Sequence, residues 1–165
     1  MEEELVDVVD KNNRVIGSAL RKGIHKTDLL HRSVHIFLVD PEGRIWLEKR
    51  ARTTDTYPEY YSSSAAGHVS KGETYMEGAV REAEEELGKA DLEMKLVHTL
   101  PATSETSNEF VAFFVTRSDY VPRVHEATES LRPFSIKEID AMMAHGEKFV
   151  PIFIELFKWY KGNKP

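Results

Sequence analysis

The segment from Gly67 to Gly88, GHVSKGETYMEGAVREAEEELG, constrains the fold of this chain more than any other. Small and apolar residues recur in it at helical spacing: Met76, Ala79, Val80, Ala83 and Leu87. This periodicity predicts an amphipathic helix over Met76–Leu87. Gly88 follows at the position where a left-handed residue commonly ends a helix. One face of this helix must therefore pack against the rest of the protein.

The other face of the predicted helix is rich in carboxylates. Glu82, Glu85 and Glu86 have the spacing i, i+3, i+4, which places three acidic side chains within one turn of each other. A divalent cation would relieve their repulsion, and hard oxygen ligands suit Mg²⁺ or Mn²⁺. A Glu-rich face can equally be a solvated surface. The helix alone leaves both interpretations open.

The rest of the chain mixes strands and helices without strict alternation. Predicted strands are Leu5–Val9, Arg14–Ala19, Val34–Val39, Ile45–Glu48, Lys95–Leu100 and Phe110–Thr116. The first two flank Lys11-Asn12-Asn13 and predict a hairpin. A capping box at Ser135–Glu138 opens a helix to about His145, and a last helix is predicted over Val150–Tyr160. These elements indicate an α+β fold with helices packed on a mixed sheet.

Length and composition exclude several classes of protein. We expect one domain over residues 1–165, and the absence of cysteine excludes disulfides, zinc–thiolate sites and thiol catalysis. The formal charge of −6 argues against a nucleic-acid polymer as partner. The Met-Glu-Glu-Glu start lacks the features of a signal peptide, and no apolar stretch is long enough to span a membrane. A cytoplasmic location is therefore expected.

Eight positions of the Gly67–Gly88 segment resemble the box of the Nudix hydrolases in register: Gly67, Glu73, Arg81, Glu82, Ala83, Glu85, Glu86 and Gly88. Lys89 departs from the pattern, since an apolar residue is usual there. The resemblance implies an α/β/α sandwich around a mixed sheet, with a loop–helix–loop motif.

The same resemblance implies a metal site. Glu82, Glu85 and Glu86, with the backbone carbonyl near Gly67, would bind Mg²⁺, or Mn²⁺ in its place. A pair formed by Arg81 and Glu73 would orient the ligand carboxylates, because metal ligands need hydrogen-bonded support.

Residues 4–117 also resemble the isopentenyl-diphosphate isomerase branch of this superfamily. The matching segments are His25…His31, Val34–Val39, Glu48-Lys49-Arg50-Ala51, Tyr57-Pro58 and Ala66-Gly67-His68. That isomerase has a catalytic cysteine where this chain has Ala66, which has no titratable group. It also has a Glu-x-Glu on a later strand, where this chain has Ser107-Asn108-Glu109 and keeps only the second glutamate. The chain therefore resembles an isomerase scaffold that carries hydrolase chemistry.

The expected reaction is metal-dependent hydrolysis of a diphosphate linkage in a nucleoside diphosphate derivative or a related compound. Glu85 and Glu109 are both candidates for the general base. Arg50 matches an isomerase arginine that contacts the diphosphate. Arg52 is a weaker candidate for the same role, because a solvated surface charge is its plainer interpretation.

Three histidines leave alternatives open. His68 follows the glycine of the box and is a candidate substrate-binding residue. With His25 and His31 it could instead form a second metal site, although the number of carboxylates falls short of that in the isomerase. His25 and His31 could also be ordinary residues of a polar surface connector.

Two other functions remain possible for such a chain: a prenyl-diphosphate enzyme, and a non-catalytic Nudix-fold protein that binds a nucleotide. Specificity is expected from the loops at 50–64 and 120–134. The aromatic segment Phe149–Tyr160 could form a homodimer face, although its plainest role is to cover the sheet.

Overall fold

The structure is a computed structural model that describes residues 3–165. Met1 and Glu2 lie outside the described residues. They begin the segment that is expected not to be a signal peptide. The strands are β1 (Leu5–Val9), β2 (Val15–Leu20), β3 (His31–Val39), β4 (Ile45–Arg50), β5 (Tyr61–Ser62), β6 (Ala65–His68), β7 (Lys95–Leu100), β8 (Glu109–Arg117) and β9 (Thr128–Phe134). The helices are α1 (Tyr75–Glu82), α2 (Ile136–Ala144) and α3 (Pro151–Asn163).

Seven of the strands form one mixed sheet, with the order β5-β4-β3-β8-β7. β6 pairs with β3, and β9 pairs with β4. β3 and β8 run parallel, whereas the other pairs are antiparallel. β1 and β2 form the hairpin predicted around residues 11–13.

The central strand β3 divides the core into two layers, because successive side chains of a strand point to opposite faces. Val34, Ile36 and Leu38 pack with Ala79, Ala83 and Leu87 of the box helix. Phe37 and Val39 pack on the other face, against residues of α2 and α3 that include Ile139, Phe153 and Phe157. This arrangement confirms the predicted α/β/α sandwich. Most apolar residues of the Phe149–Tyr160 segment are buried in the chain's own core.

Local signals set the ends of the helices. The predicted capping box is present at α2, where Ser135 accepts from the Glu138 backbone and Glu138 accepts from the Ser135 backbone. Thr74 and Glu77 form the same arrangement at α1. Gly88 adopts a left-handed conformation with φ of 81° after the last turn, as the sequence predicts.

The structure differs from the predictions at several strands. β5 lies within the predicted loop 50–64, and β6 follows directly after that loop. β9 lies within the predicted loop 120–134. β9 carries charged residues and Pro133, which an edge strand tolerates but which hide its pattern in the sequence. β3 begins at His31 instead of Val34, and this shift places His31 in the sheet.

No helix within residues 3–165 is long and apolar enough to cross a membrane. The organisation of residues 1–165 as one domain stays a prediction.

Candidate active site

A cavity of about 830 Å³ opens where β3 and β4 separate. These two strands pair only at Val39 and Ile45, after which β3 pairs with β6 and β4 pairs with β5 and β9. The cavity wall includes Gly67 and Glu86 of the box. It also includes His68 and Glu109. The structure thus brings one end of the box together with residues of the sheet.

The box helix does not remain a regular α-helix. After Glu82 the chain passes into a π-helical turn over Ala83–Leu87, a feature often found at functional sites. Glu82 is 2% exposed, whereas the Glu85 side chain is 57% exposed and Glu86 lines the cavity. The three carboxylates therefore differ in their exposure to solvent, and their role as one set of metal ligands stays a prediction.

Two of these carboxylates contact the backbone of β6. Glu86 Oε2 accepts a hydrogen bond from the Ala66 N–H at 2.9 Å. The Glu82 carboxylate lies so close to Gly67 that a Cβ at position 67 would collide with it. Burial raises the pKa of Glu82 and that of Glu86, and the charges of Glu48 and Glu82 raise the pKa of Glu86 further. Such a set of crowded carboxylates fits a divalent cation.

Arg81 forms hydrogen bonds with Glu73, with Glu82 and with the backbone of β6. It forms a bidentate pair with Glu73, with distances of 2.8 Å from Nε to Oε2 and 2.9 Å from Nη2 to Oε1. It also donates to Glu82 Oε1 at 2.7 Å and to the carbonyl of His68 at 2.9 Å. The hydrogen bonds from Arg81 lower the pKa of Glu73. The contact expected between Arg81 and Glu73 is thus present, and their supporting role stays a prediction.

His25, His68 and Glu109 of the cavity wall form a second cluster with His31, which is buried beside them. One potential ligand atom from each residue lies within 4.8 Å of all the others. Parallel pairing of β3 with β8 puts His31 directly beside Glu109, and β6 adds His68 from the other side of β3. The alternative that His31 is an ordinary residue of a surface connector is therefore wrong, because its side chain is fully buried.

Two buried nitrogen atoms of the cluster have no hydrogen-bond partner within the described residues. His31 Nδ1 donates to the Leu29 carbonyl at 3.0 Å, so a neutral ring carries its lone pair on Nε2. That atom is buried without a hydrogen bond and faces Glu109 Oε1 at 3.4 Å. His68 Nε2 lies 2.9 Å from the same oxygen, and its buried Nδ1 also has no partner. Three imidazoles and one carboxylate form a donor set that suits Mn²⁺ or Zn²⁺.

Glu109 is buried, so it is not the exposed carboxylate at a strand end that the sequence left possible. Burial alone would raise its pKa, but the neighbouring His31 and His68 lower that pKa well below the usual value. The convergence of three histidines on Glu109 suits a cation ligand, and its role as a general base stays a prediction.

The two candidate arginines have different surroundings. Arg50 lines the cavity, and its guanidinium donates to the carbonyl and the hydroxyl of Thr56 at 3.0 and 3.2 Å. The Arg52 side chain is 84% exposed and pairs with Glu59. Within the described residues, neither Arg52 nor Glu85 contributes to the cavity wall.

Two further buried residues line the wall: Glu48, to which sequence reasoning assigned no role, and His35, whose alternation along its strand left it as either a core-edge or a pocket residue. Glu48 lies on β4, and His35 lies on β3, where it hydrogen-bonds to Ser63 Oγ at 2.8 Å. The alternation of His31, Ser33 and His35 along one strand was a usable signal, because it places three polar side chains on one face. Glu48 had no comparable signal.

A model of the NUDIX domain matches residues 29–153 of the chain. The chain belongs to the Nudix family. The chain spans about half the length of the first curated relatives it matches, three bacterial proteins named as uncharacterised Nudix hydrolases that are 40–42% identical to it. An uncharacterised Nudix hydrolase of Nostoc is 33% identical over 97% of both chains.

Two further relatives cover nearly the whole chain. An isopentenyl-diphosphate Delta-isomerase of Serratia proteamaculans is 29% identical over 98% of this chain and 94% of its own. A crystal structure of a Deinococcus radiodurans protein superposes with a TM-score of 0.84 and 27% identity, covering 94% of this chain and 98% of that one. The α/β/α arrangement is therefore shared with a solved structure along almost its full length.

Proposed function

We propose that this Nudix hydrolase cleaves a diphosphate linkage in a nucleoside diphosphate derivative or a related small molecule, with Mg²⁺ or Mn²⁺ as cofactor. The observation that carries the proposal is that one cavity is lined by Glu86 of the box, by Arg50, and by His25, His68 and Glu109 of the histidine cluster. Nudix hydrolases generally use divalent metal ions. Two groups of cation ligands and one guanidinium suit a compound with adjacent phosphate groups.

The residues of the cavity have separable roles in this proposal. Glu86, with Glu82, Glu85 and the Gly67 carbonyl, would hold a cation that neutralises phosphate charge and lowers the pKa of a bound water. Arg81, which is paired with Glu73 and bonded to Glu82, would fix the position of Glu82. Arg50 would bind a phosphate group. Glu85, which is accessible to solvent, and Glu109, which lines the cavity, are the two candidates for the general base.

Phosphate release from a panel of diphosphate compounds tests the proposal. The panel contains nucleoside di- and triphosphates, nucleotide sugars, dinucleoside polyphosphates, coenzyme A and isopentenyl diphosphate, each with Mg²⁺ and with Mn²⁺. We expect turnover of at least one compound, a loss of orders of magnitude in Glu86→Gln and in Glu85→Gln, and wild-type turnover in Glu84→Gln. Full activity in both site variants would refute the assignment of the metal site.

The histidine cluster favours a second candidate, a prenyl-diphosphate isomerase. Its three histidines and Glu109 match those expected from the isomerase resemblance. Ala66 stands on the cavity wall, however, and its methyl group cannot transfer a proton. We therefore expect the wild-type protein not to isomerise isopentenyl diphosphate. Isomerisation by the wild-type protein would overturn the choice of a hydrolase over an isomerase. Isomerisation that appears only in Ala66→Cys would support that choice.

A further inference from the structure

Glu48 is a buried carboxylate of the cavity wall that lies outside the box. Its side chain is 6% exposed, and it lines the same cavity as Glu86. Glu48 Oε1 lies 3.7 Å from His125 Nε2, and within residues 3–165 neither Glu48 nor Glu86 forms an ion pair with a lysine or an arginine. Burying a carboxylate without a compensating cation is unfavourable. This environment therefore points to a positive ligand.

A chain of hydrogen bonds fixes the orientation of Glu48. The Ala127 N–H donates to His125 Nδ1 at 3.3 Å, so a neutral ring carries its proton on Nε2. His125 Nε2 lies 2.6 Å from Thr128 Oγ1, and the Thr128 hydroxyl donates to Glu48 Oε1 at 2.8 Å. Because a hydroxyl has one proton, the bonds run in one direction, from the backbone to the carboxylate.

The two carboxylates are arranged alike. Glu48 Oε1 accepts from Thr128, and Glu86 Oε2 accepts from the Ala66 N–H. In the described part of the chain, Glu48 Oε2 and Glu86 Oε1 have no protein donor. Both side chains line one cavity. Two oriented carboxylates with one unpartnered oxygen each are suited to share a hard cation.

We propose that Glu48 is a metal ligand in addition to those of the box, and that it binds the divalent cation together with Glu86. The metal is then held between the box helix and β4. Thr128 and His125 are positioning residues that keep Glu48 in place. This inference rests on the proposed function, because it concerns the cation of the same cavity. It also connects the loop before β9 to the metal.

Calorimetric titration with Mg²⁺ tests the assignment in solution. Mg²⁺ is chosen because imidazole clusters suit softer ions, so the histidine cluster does not obscure the result. We expect Glu48→Gln to weaken Mg²⁺ binding at least tenfold. The control is Glu129→Gln, which removes an exposed carboxylate of β9 and is expected to leave the affinity unchanged. Wild-type affinity in Glu48→Gln would overturn the proposal.

A direct measurement keeps the proposal testable if Glu48→Gln fails to fold. Anomalous scattering from Mn²⁺ in crystals of the wild-type protein would locate the ion. We expect an ion at about 2.0–2.2 Å from oxygens of both Glu48 and Glu86. An ion bound to Glu86 but out of reach of Glu48 would refute the assignment.

The positioning role of Thr128 has its own test. Thr128→Ser keeps the hydroxyl and is expected to retain Mg²⁺ affinity, whereas Thr128→Val is expected to weaken it several-fold. Equal affinities in the two variants would show that the hydrogen bond does not position Glu48.

The outcomes separate this inference from the proposed function. If the wild-type protein hydrolyses a panel compound and Glu48→Gln binds Mg²⁺ with wild-type affinity, only the role of Glu48 is refuted. Wild-type protein that binds Mg²⁺ through Glu48 but cleaves no panel compound would refute only the proposed function.

Discussion

Replacing Gly67 by alanine gives the sharpest test of the geometry around the box. The new Cβ would overlap the carboxylate of Glu82, which is 2% exposed and held by Arg81 at 2.7 Å. Glu82 therefore has little room to move without losing its hydrogen bond. Gly67 is not in the left-handed region, so the expected effect comes from this contact and not from backbone strain.

The magnitude follows from two contributions. Overpacking of a buried site costs about 1–3 kcal/mol, and loss of a hydrogen bond to a charged group costs about 1.5–3 kcal/mol. We expect Gly67→Ala to lower the free energy of unfolding by about 2–5 kcal/mol, allowing for partial relaxation. For a chain of this size the melting temperature would fall by roughly 5–15 °C.

Gly78 of the same box provides the matched control. A Cβ there would lie 3.4 Å from Val69 Cγ2 and 3.5 Å from Glu73 Oε1, which is ordinary van der Waals contact. Because alanine favours a helix interior over glycine by about 1 kcal/mol, Gly78→Ala should be neutral or stabilising. Urea and thermal denaturation without metal, followed by Mg²⁺ titration, would compare the variants. Gly67→Ala with wild-type stability and Mg²⁺ affinity would refute this account of the contact.

Three further predictions concern the cavity. Burial lowers the pKa of His35 to about 4, so protonation of this residue favours the unfolded state. The stability that depends on a neutral His35 is full above pH 6.5 and is lost as the pH falls from 6.5 to 4. The loss amounts to about 3 kcal/mol. Denaturation at several pH values should show a smaller loss of stability in His35→Gln than in the wild-type protein. Identical pH profiles of the two proteins would contradict this reasoning. Arg50→Ala should raise KM for a hydrolysed compound about tenfold while Arg52→Ala leaves it unchanged, and equal effects in steady-state kinetics would remove the assignment of Arg50. Addition of Mn²⁺ at one hundred times its Kd for the histidine cluster should stabilise the protein by about 2.7 kcal/mol. An equal rise in the melting temperature of His25→Ala would show that the ion binds elsewhere.

Elements with a local origin were predictable from the sequence. The Ser135–Glu138 capping box and the glycine after the box helix depend on hydrogen bonds and dihedral angles within a few residues. The two faces of β3 follow from alternation along one strand. The strands β5, β6 and β9 were not predictable, because each is short or polar and exists through its pairing with β3 or β4.

The candidate site divides in the same way. The box residues could be identified one by one, but their spacing suggested a uniform face, and the π-helical turn gives Glu82, Glu85 and Glu86 different surroundings. His25, His31 and His68 could be named as candidates without a decision between metal ligands and surface residues. Glu109 was in reach as a site residue, but its neighbours decide whether it accepts a proton or holds a cation.

The sequence by itself determined the chemical inventory: a Nudix box with all its glutamates, no cysteine in the chain, and Ala66 where an isomerase needs a proton carrier. These properties belong to single residues or to one helix, where spacing fixes geometry. Only the tertiary structure decided which distant residues meet. The parallel register of β3 and β8 places His31 beside Glu109, and the separation of β3 from β4 brings Glu48 and Glu86 to one cavity. Such contacts depend on strand pairing over long sequence separations, which no local pattern specifies.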